Sequence, residues 1–201
     1  MRFKPKSYYE AVFQLRNPRR EVLQYINKEL KKQKVYVVCR NKCLEGVDFY
    51  LTSQHAAQNI GRKIYKKYGG ELKITKKLFS KDKLTSKNIH RVTVYYRPYD
   101  FSTHDIIKLE GKIIKINFIK GNSVYGEDIL SRKKVHLNIK NKNPEILNVV
   151  KAVISKTYPS LEVIHPITYQ SVRVINPKKI PKKITKKEIK VVLVGDNVLV
   201  V

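Results

Sequence analysis

Carboxylates are scarce in this chain of 201 residues: 16 Asp and Glu stand against 43 Lys and Arg, for a formal net charge of +27. So wide an imbalance excludes the balanced ion-pair chemistry that raises stability in thermophilic proteins. The excess self-repels and favours association with polyanions, and a pI near 10.0 lies in the range of nucleic-acid-binding domains. Cysteine is nearly absent. The two present, Cys39 and Cys43, cannot build a disulfide framework, so reduced thiols in a cytoplasm are the default expectation. No uninterrupted apolar run is long enough to span a bilayer, and neither end carries a signal-peptide pattern or a lipidation motif. These absences argue against a membrane surface as the polyanion and for a soluble intracellular protein. Enzyme signatures are missing too: there is no glycine-rich phosphate loop, nucleophile elbow or paired-His metalloprotease motif.

At 42% hydrophobic the chain has the apolar content of a folded protein, with length for one large domain or two small ones. In "YYEAVFQL", residues 8 to 15, Tyr9, Ala11, Phe13 and Leu15 alternate onto one strand face. Asn17 and Pro18 then read as an N-cap and first helical position, followed by Val22, Leu23, Ile26 and Leu30 at helical spacing. Strands are predicted at "VYVV" (35 to 38) and "VDFYL" (47 to 51), joined by a loop holding both cysteines. The next helix has the apolar stripe Ala57, Ile60, Ile64 and Tyr68 with small Gly61 beside it. Arg62, Lys63, Lys66 and Lys67 occupy its other side. Strands around 71 to 79 and 89 to 97 complete a β-α-β-β-α-β-β series, which predicts helices on one face of a mixed or antiparallel sheet. Arg97-Pro98 marks a boundary, giving a first domain over residues 1 to 99 and a second over 100 to 201.

The second half changes character. Short β-rich runs at "DIIKL", "KIIKINFI", "SVYG" and "KVHLNI", punctuated by Gly111, Gly121-Asn122 and Gly126, are spaced as in a small barrel. Asn143-Pro144 predicts one interrupting helix with Ile146, Val150, Val153 and Ile154 buried. Strands near 161 to 165, 168 to 175 and 189 to 194 follow, and Gly195-Asp196-Asn197 turns the chain into a last "VLVV". Between them "PKKIPKKITKKEIK" is a low-complexity Lys-pair segment that reads as an extended loop or edge.

Candidate chemistry points away from catalysis. Glu127-Asp128 falls in a predicted hairpin, so it reads as a solvated turn rather than an acid-base pair. His55, His90, His104, His136 and His165 share no ligand spacing. Cys39-x-x-x-Cys43 followed by His55 resembles a zinc finger faintly, but the place of a fourth ligand holds Asn59. Free thiols or a local disulfide remain as readings, and neither metal nor cofactor is expected. Basic clusters, by contrast, recur: the helix end at 62 to 67, "KITKK" at 73 to 77 with Lys76 and Lys77, Arg132-Lys133-Lys134, and Lys178, Lys179, Lys182 and Lys183. Lys suits phosphate rather than base edges. For the helix end the alternative is a favourable interaction of cations with the macrodipole. In "HRVTVYYR" the alternating face reads Arg91, Thr93, Tyr95, Arg97, an aromatic between guanidinium groups, suited to a stacked base between phosphate contacts or to an ordinary solvent-facing strand.

"YYEAVFQLR" at 8 to 16, "GVDFYLTSQHAAQNIGRKIYKKYGGELKITKKL" at 46 to 78, "HRVTVYYR" at 90 to 97 and "LEVIHPITYQSVRV" at 161 to 174 together resemble archaeal counterparts of the eukaryotic large (60S) ribosomal subunit export adaptor, the nonsense-mediated decay protein three family. The resemblance covers nearly the whole chain and is most specific in the strand-helix block and "HPITY". It implies an α+β protein of two domains: an N-terminal one like the eukaryotic L-twenty-two ribosomal protein, and a mostly-β C-terminal one like translation factor five-A, with SH3-like and OB-like parts. It also implies a non-enzymatic rRNA-binding factor on the intersubunit face of the large subunit near the tRNA sites and the mobile stalk, acting in late maturation or quality control. The expected partners are that subunit's rRNA, stalk and tRNA-site proteins, with a monomer off the ribosome. Compared with the family pattern, the Cys-x-x-Cys pairs of the N-terminal zinc module and the tail with the nuclear export signal are missing. Contacts of that module and nuclear export are therefore not expected of this chain.

Overall fold

The computed structural model describes residues 8–81, 84, 86–176, 188–195 and 197–201. They divide into two compact units: unit 1 holds the described residues up to Asp100 with Ile119–Asn122, and unit 2 holds Phe101–Phe118 and those from Ser123 onward.

Unit 1 runs β1 (Ala11–Arg16), α1 (Arg20–Lys32), β2 (Val37–Cys43), β3 (Gly46–Leu51), α2 (Gln54–Tyr68), β4 (Glu71–Lys81) and β5 (Asn88–Arg97), the element order expected from periodicity. The strands lie in the order β2-β3-β1-β5-β4; β1 and β5 are parallel and the other pairs antiparallel, so the sheet is mixed. Alternation dictates its buried side. Ala11, Phe13 and Leu15 of β1 and Val92, Val94 and Tyr96 of β5 enter one core with Val22, Ile26 and Leu30 of α1 and Ala57, Ile60 and Ile64 of α2. Both helices therefore cover the same face, and among the described residues no helix of unit 1 covers the other. Tyr96 ties the far end of α2 to the sheet by donating its hydroxyl proton to the Gly69 carbonyl oxygen at 2.6 Å. Burial pushes that phenol well above its ordinary range, so it remains a donor.

Two local readings are corrected. Asn17 does not cap α1: it sits in the left-handed region at φ 47° and its amide donates to Asp100 Oδ1 at 2.6 Å, while Arg19 occupies the cap position without a side-chain bond. Short polar Asn tolerates that conformation, and the turn uses it for this. The cysteines do not lie in a loop either. Both belong to β2, exposed and free, because the strand continues to a turn at Leu44 and Glu45 and pairs Cys43 with Gly46.

The described residues of unit 2 form strands, the last two residues of β7 being counted in unit 1: β6 (Ile106–Leu109), β7 (Lys112–Lys120), β8 (Ser123–Asp128), β9 (Lys134–Asn138), β10 (Glu145–Leu147), β11 (Val149–Lys156), β12 (Glu162–Ile164), β13 (Ser171–Arg173), β14 (Glu188–Val194) and β15 (Asn197–Val200). One sheet has the order β10-β6-β7-β8-β9 and the other β13-β12-β11-β14-β15. A parallel bridge from Val174 to Val198 joins the segment after β13 to β15, curling the second sheet back on itself. This β-rich arrangement is consistent with SH3-like and OB-like parts. Val191, Val198 and Val200 enter one core and Val192 and Leu199 the other. Strands apolar on both sides explain why "VVLV" and "VLVV" lack alternation.

The helix expected after Asn143-Pro144 is replaced by β10 and β11. Two residues of its supposed stripe, Ile146 and Val153, are 41% and 44% exposed, whereas Val150, Ala152 and Ile154 alternate inward. "VVKAVISK" is rich in β-branched residues, and its ladder with β14 outweighs a stripe that fits both periods at 150 and 154. Among the described residues no helix is long and apolar enough to cross a membrane.

Candidate nucleic-acid interface

The open face of the unit 1 sheet is assembled row by row from cross-strand register. Lys73 of β4, Tyr95 of β5, Gln14 of β1 and Asp48 of β3 form one row; Thr75, Thr93, Val12 and Tyr50 form the next. Lys77 pairs with Arg91 and Glu71 with Arg97, so Arg91, Tyr95 and Arg97 do share a face, as alternation requires. Their states differ. Arg97 is exposed, and Tyr95 is half-buried with Lys73 Nζ 5.9 Å from its ring centre. Arg91 is sandwiched: its guanidinium lies 3.9 Å from the Tyr9 ring centre and 3.4 Å from that of Phe79, and Nη1 donates to the Tyr9 hydroxyl at 3.0 Å. That clamp makes it a fixed cation between rings rather than a mobile phosphate hand. Nothing local in the sequence signals this, because Tyr9 and Phe79 come from distant segments.

Asp48 and Glu71, two carboxylates on this face, are both engaged. Arg16 Nη1 meets Asp48 Oδ1 at 2.6 Å, which raises the guanidinium pKa further, and Lys73 Nζ meets Glu71 Oε1 at 2.6 Å, which raises the ammonium pKa. The surface thus keeps Lys77 and Arg97 without a carboxylate partner among the described residues. Arg16 and Arg97 also border an open depression of about 700 Å³ with Lys42, Glu45 and Asp100. Lys76 of β4 is exposed, but it alternates to the side of Leu72 and Ile74, away from Lys77.

On α2 the four cations have different surroundings. Ser53 starts the helix by accepting from the Ala56 N–H at 3.3 Å, and all four basic side chains are exposed. Lys63 Nζ, however, contacts the buried Glu29 Oε2 of α1 at 2.7 Å, and Lys67 Nζ sits 4.6 Å and 5.0 Å from the Tyr25 and Tyr68 ring centres. Those two lean toward α1. Arg62 and Lys66, one turn apart, remain outward; Arg62 makes only a 3.4 Å contact to Gln58 in its own helix.

The Lys63 contact, then burial, then Gln33, govern Glu29, and the net effect lowers its pKa from the ordinary 4.5. A lowered folded value stabilises unit 1 fully above the ordinary glutamate range, and the contribution disappears as pH falls through that folded value. The raised pKa of Lys63 keeps the pair intact on the alkaline side until pH passes its own folded value. Glu29→Gln is therefore expected to be less stable than wild type near neutrality, with the gap closing as pH falls below the ordinary glutamate range. Denaturant unfolding at several pH values checks this; a gap independent of pH would contradict it.

In unit 2, Lys134 opens β9 and Arg132 and Lys133 occupy the turn before it. The solvated-turn reading of Glu127-Asp128 holds for exposed Glu127 and is corrected for Asp128. It is buried and shapes that turn, accepting from the Ser131 hydroxyl at 2.6 Å and the Leu130 N–H at 3.2 Å. Lys178, Lys179, Lys182 and Lys183 lie outside the described residues.

No curated protein matches the chain. Residues 8–97, from the approach to β1 through the end of β5, match the family model described as NMD3, second domain.

Proposed function

We propose that this chain is a non-enzymatic rRNA-binding factor of the large ribosomal subunit, acting in late maturation or quality control on the intersubunit face near the tRNA sites. The observation that carries the reading is a coincidence of two features: the segment matching NMD3 is also the one that builds a helix-backed sheet with a basic, aromatic open face. The NMD3 family is associated with the large ribosomal subunit. Mechanistically, Lys77, Arg97, Arg62 and Lys66 hold phosphates, and Tyr95 offers a ring beside them. Occupation of the tRNA sites excludes early entry of tRNA and of the small subunit. Six to ten phosphate contacts make affinity fall by about three to five decades between low and moderate salt.

Sedimentation of the tagged protein through a sucrose gradient of source-cell lysate, at near-physiological salt, tests the reading. Stoichiometric presence on free large subunits with absence from joined ribosomes is expected. Presence on translating ribosomes would mean a resident ribosomal protein, and salt-labile smearing over all RNA would mean a general RNA binder; either result overturns the proposal.

A further inference from the structure

Three rings stack in a column across three neighbouring strands of unit 2. Phe118 of β7 and Tyr125 of β8 have centres 4.3 Å apart and planes inclined by 12°; Tyr125 and His136 of β9 are 4.3 Å apart at 10°. Backbone register holds the second pair, because Tyr125 and His136 are direct cross-strand partners. Aromatic pairs of this kind contribute to sheet stability, yet this column stands in solvent: Phe118 is 51% exposed, His136 is exposed and Tyr125 is half-buried. β9 is also the edge of its sheet. Among the described residues no strand pairs with the outer side of β9, and His136 is exposed there, so the column ends at a solvent-facing ring.

Charge says what fits there. Lys134 lies two residues before His136, and the turn built on Asp128 presents Arg132 and Lys133 just ahead of it. Backbone bonds from the Asp128 N–H to the Lys133 carbonyl at 3.0 Å and from the Arg132 N–H to the Asp128 carbonyl at 2.8 Å brace the turn. The Asp128 carboxylate is turned inward and satisfied, leaving Glu127, opposite Lys134, as the neighbouring exposed acid. A preformed ring stack beside three cations suits unpaired nucleotides, whose bases stack on aromatic side chains while the backbone follows positive charge. A duplex keeps its base faces inside and offers nothing to extend the column.

We propose that the Phe118, Tyr125 and His136 column is a base-stacking site for single-stranded RNA, with Arg132, Lys133 and Lys134 on the flanking phosphates. This rests on the reading of the chain as an RNA binder and adds a separate site with its own contact mode. The test titrates the whole chain into a short single-stranded RNA carrying 2-aminopurine, beside a duplex of the same length. Wild type is expected to quench the probe. Phe118→Leu with His136→Ala weakens single-strand binding about five-fold or more and relieves the quench, while the salt slope stays unchanged. Lys133→Gln with Lys134→Gln lowers that slope by about 1.4 and leaves the quench at saturation intact. His136→Ala alone, on an exposed edge position, carries the test if the double variant fails to fold. Unchanged affinity and quench in a folded column variant would reduce the column to sheet packing and overturn the proposal. Gradient position is scored separately: failure of the column with large-subunit binding retained removes this site alone, and the reverse removes the ribosomal reading alone.

Discussion

An alanine at Gly46 lowers the stability of unit 1 by about 3 kcal/mol, although it adds a single methyl group. Gly46 opens β3 opposite Arg16 of β1 and Cys43 of β2. A Cβ there would stand 1.9 Å from the Leu15 carbonyl oxygen, 3.0 Å from its carbon and 3.1 Å from Arg16 Cα, all main-chain atoms. A flexible side chain would swing aside; β1, hydrogen-bonded between β3 and β5, has nowhere to go. The cost reaches the open face, since the Arg16–Asp48 ion pair spans the same two strands. Gly111→Ala is the control: it meets nothing within 4 Å but sits at φ +75°, so strain alone costs about 1–2 kcal/mol. Hydrogen exchange resolved by peptide separates the two, with opening of β1 and β3 in Gly46→Ala and of β6 and β7 in Gly111→Ala. A Gly46→Ala effect no larger than the control would contradict the close approach.

What the sequence made legible follows from which interactions are local. Period-2 alternation at Ala11, Phe13 and Leu15 and the 3.6-residue stripe through Ala57, Ile60 and Ile64 each specify one buried face, so element order and the helix-covered side of the sheet were readable. The segment from Ile146 to Ile154 was not. Its apolar residues satisfy both periods, and the ladder to β14, some forty residues away in sequence, decides between them. Site residues divide the same way. Strand alternation places Arg91, Tyr95 and Arg97 together, but the rings that clamp Arg91 arrive through tertiary packing. Likewise the helical wheel puts Arg62 and Lys66 on one line and Lys63 and Lys67 on another, and only the position of α1, with Glu29 and Tyr25, shows which line is occupied. The column of Phe118, Tyr125 and His136 escaped notice because its three members are spread over three strands, and stacking depends on their register.

That division of the basic residues gives the second large effect. Arg62, Lys66, Lys77 and Arg97 changed together to Gln are expected to lower affinity for large subunits by about three decades at 0.1 M salt, and to reduce the steepness of log affinity against log salt by about 3.6. Each of the four lacks a carboxylate partner among the described residues, so its charge is available to displace counterions from phosphate. Lys63→Gln with Lys67→Gln, by contrast, is expected to leave the salt slope nearly unchanged and to destabilise unit 1. The exchange strands the buried Glu29 carboxylate and removes the cation over Tyr25 and Tyr68. Binding at several salt concentrations, paired with denaturant unfolding, reads both consequences on the same proteins. If the Lys63 and Lys67 variant flattened the salt dependence while the four-residue variant kept it, the cations leaning on α1 would be the RNA contacts. The open face and the outward line of α2 would then be only solvated surface.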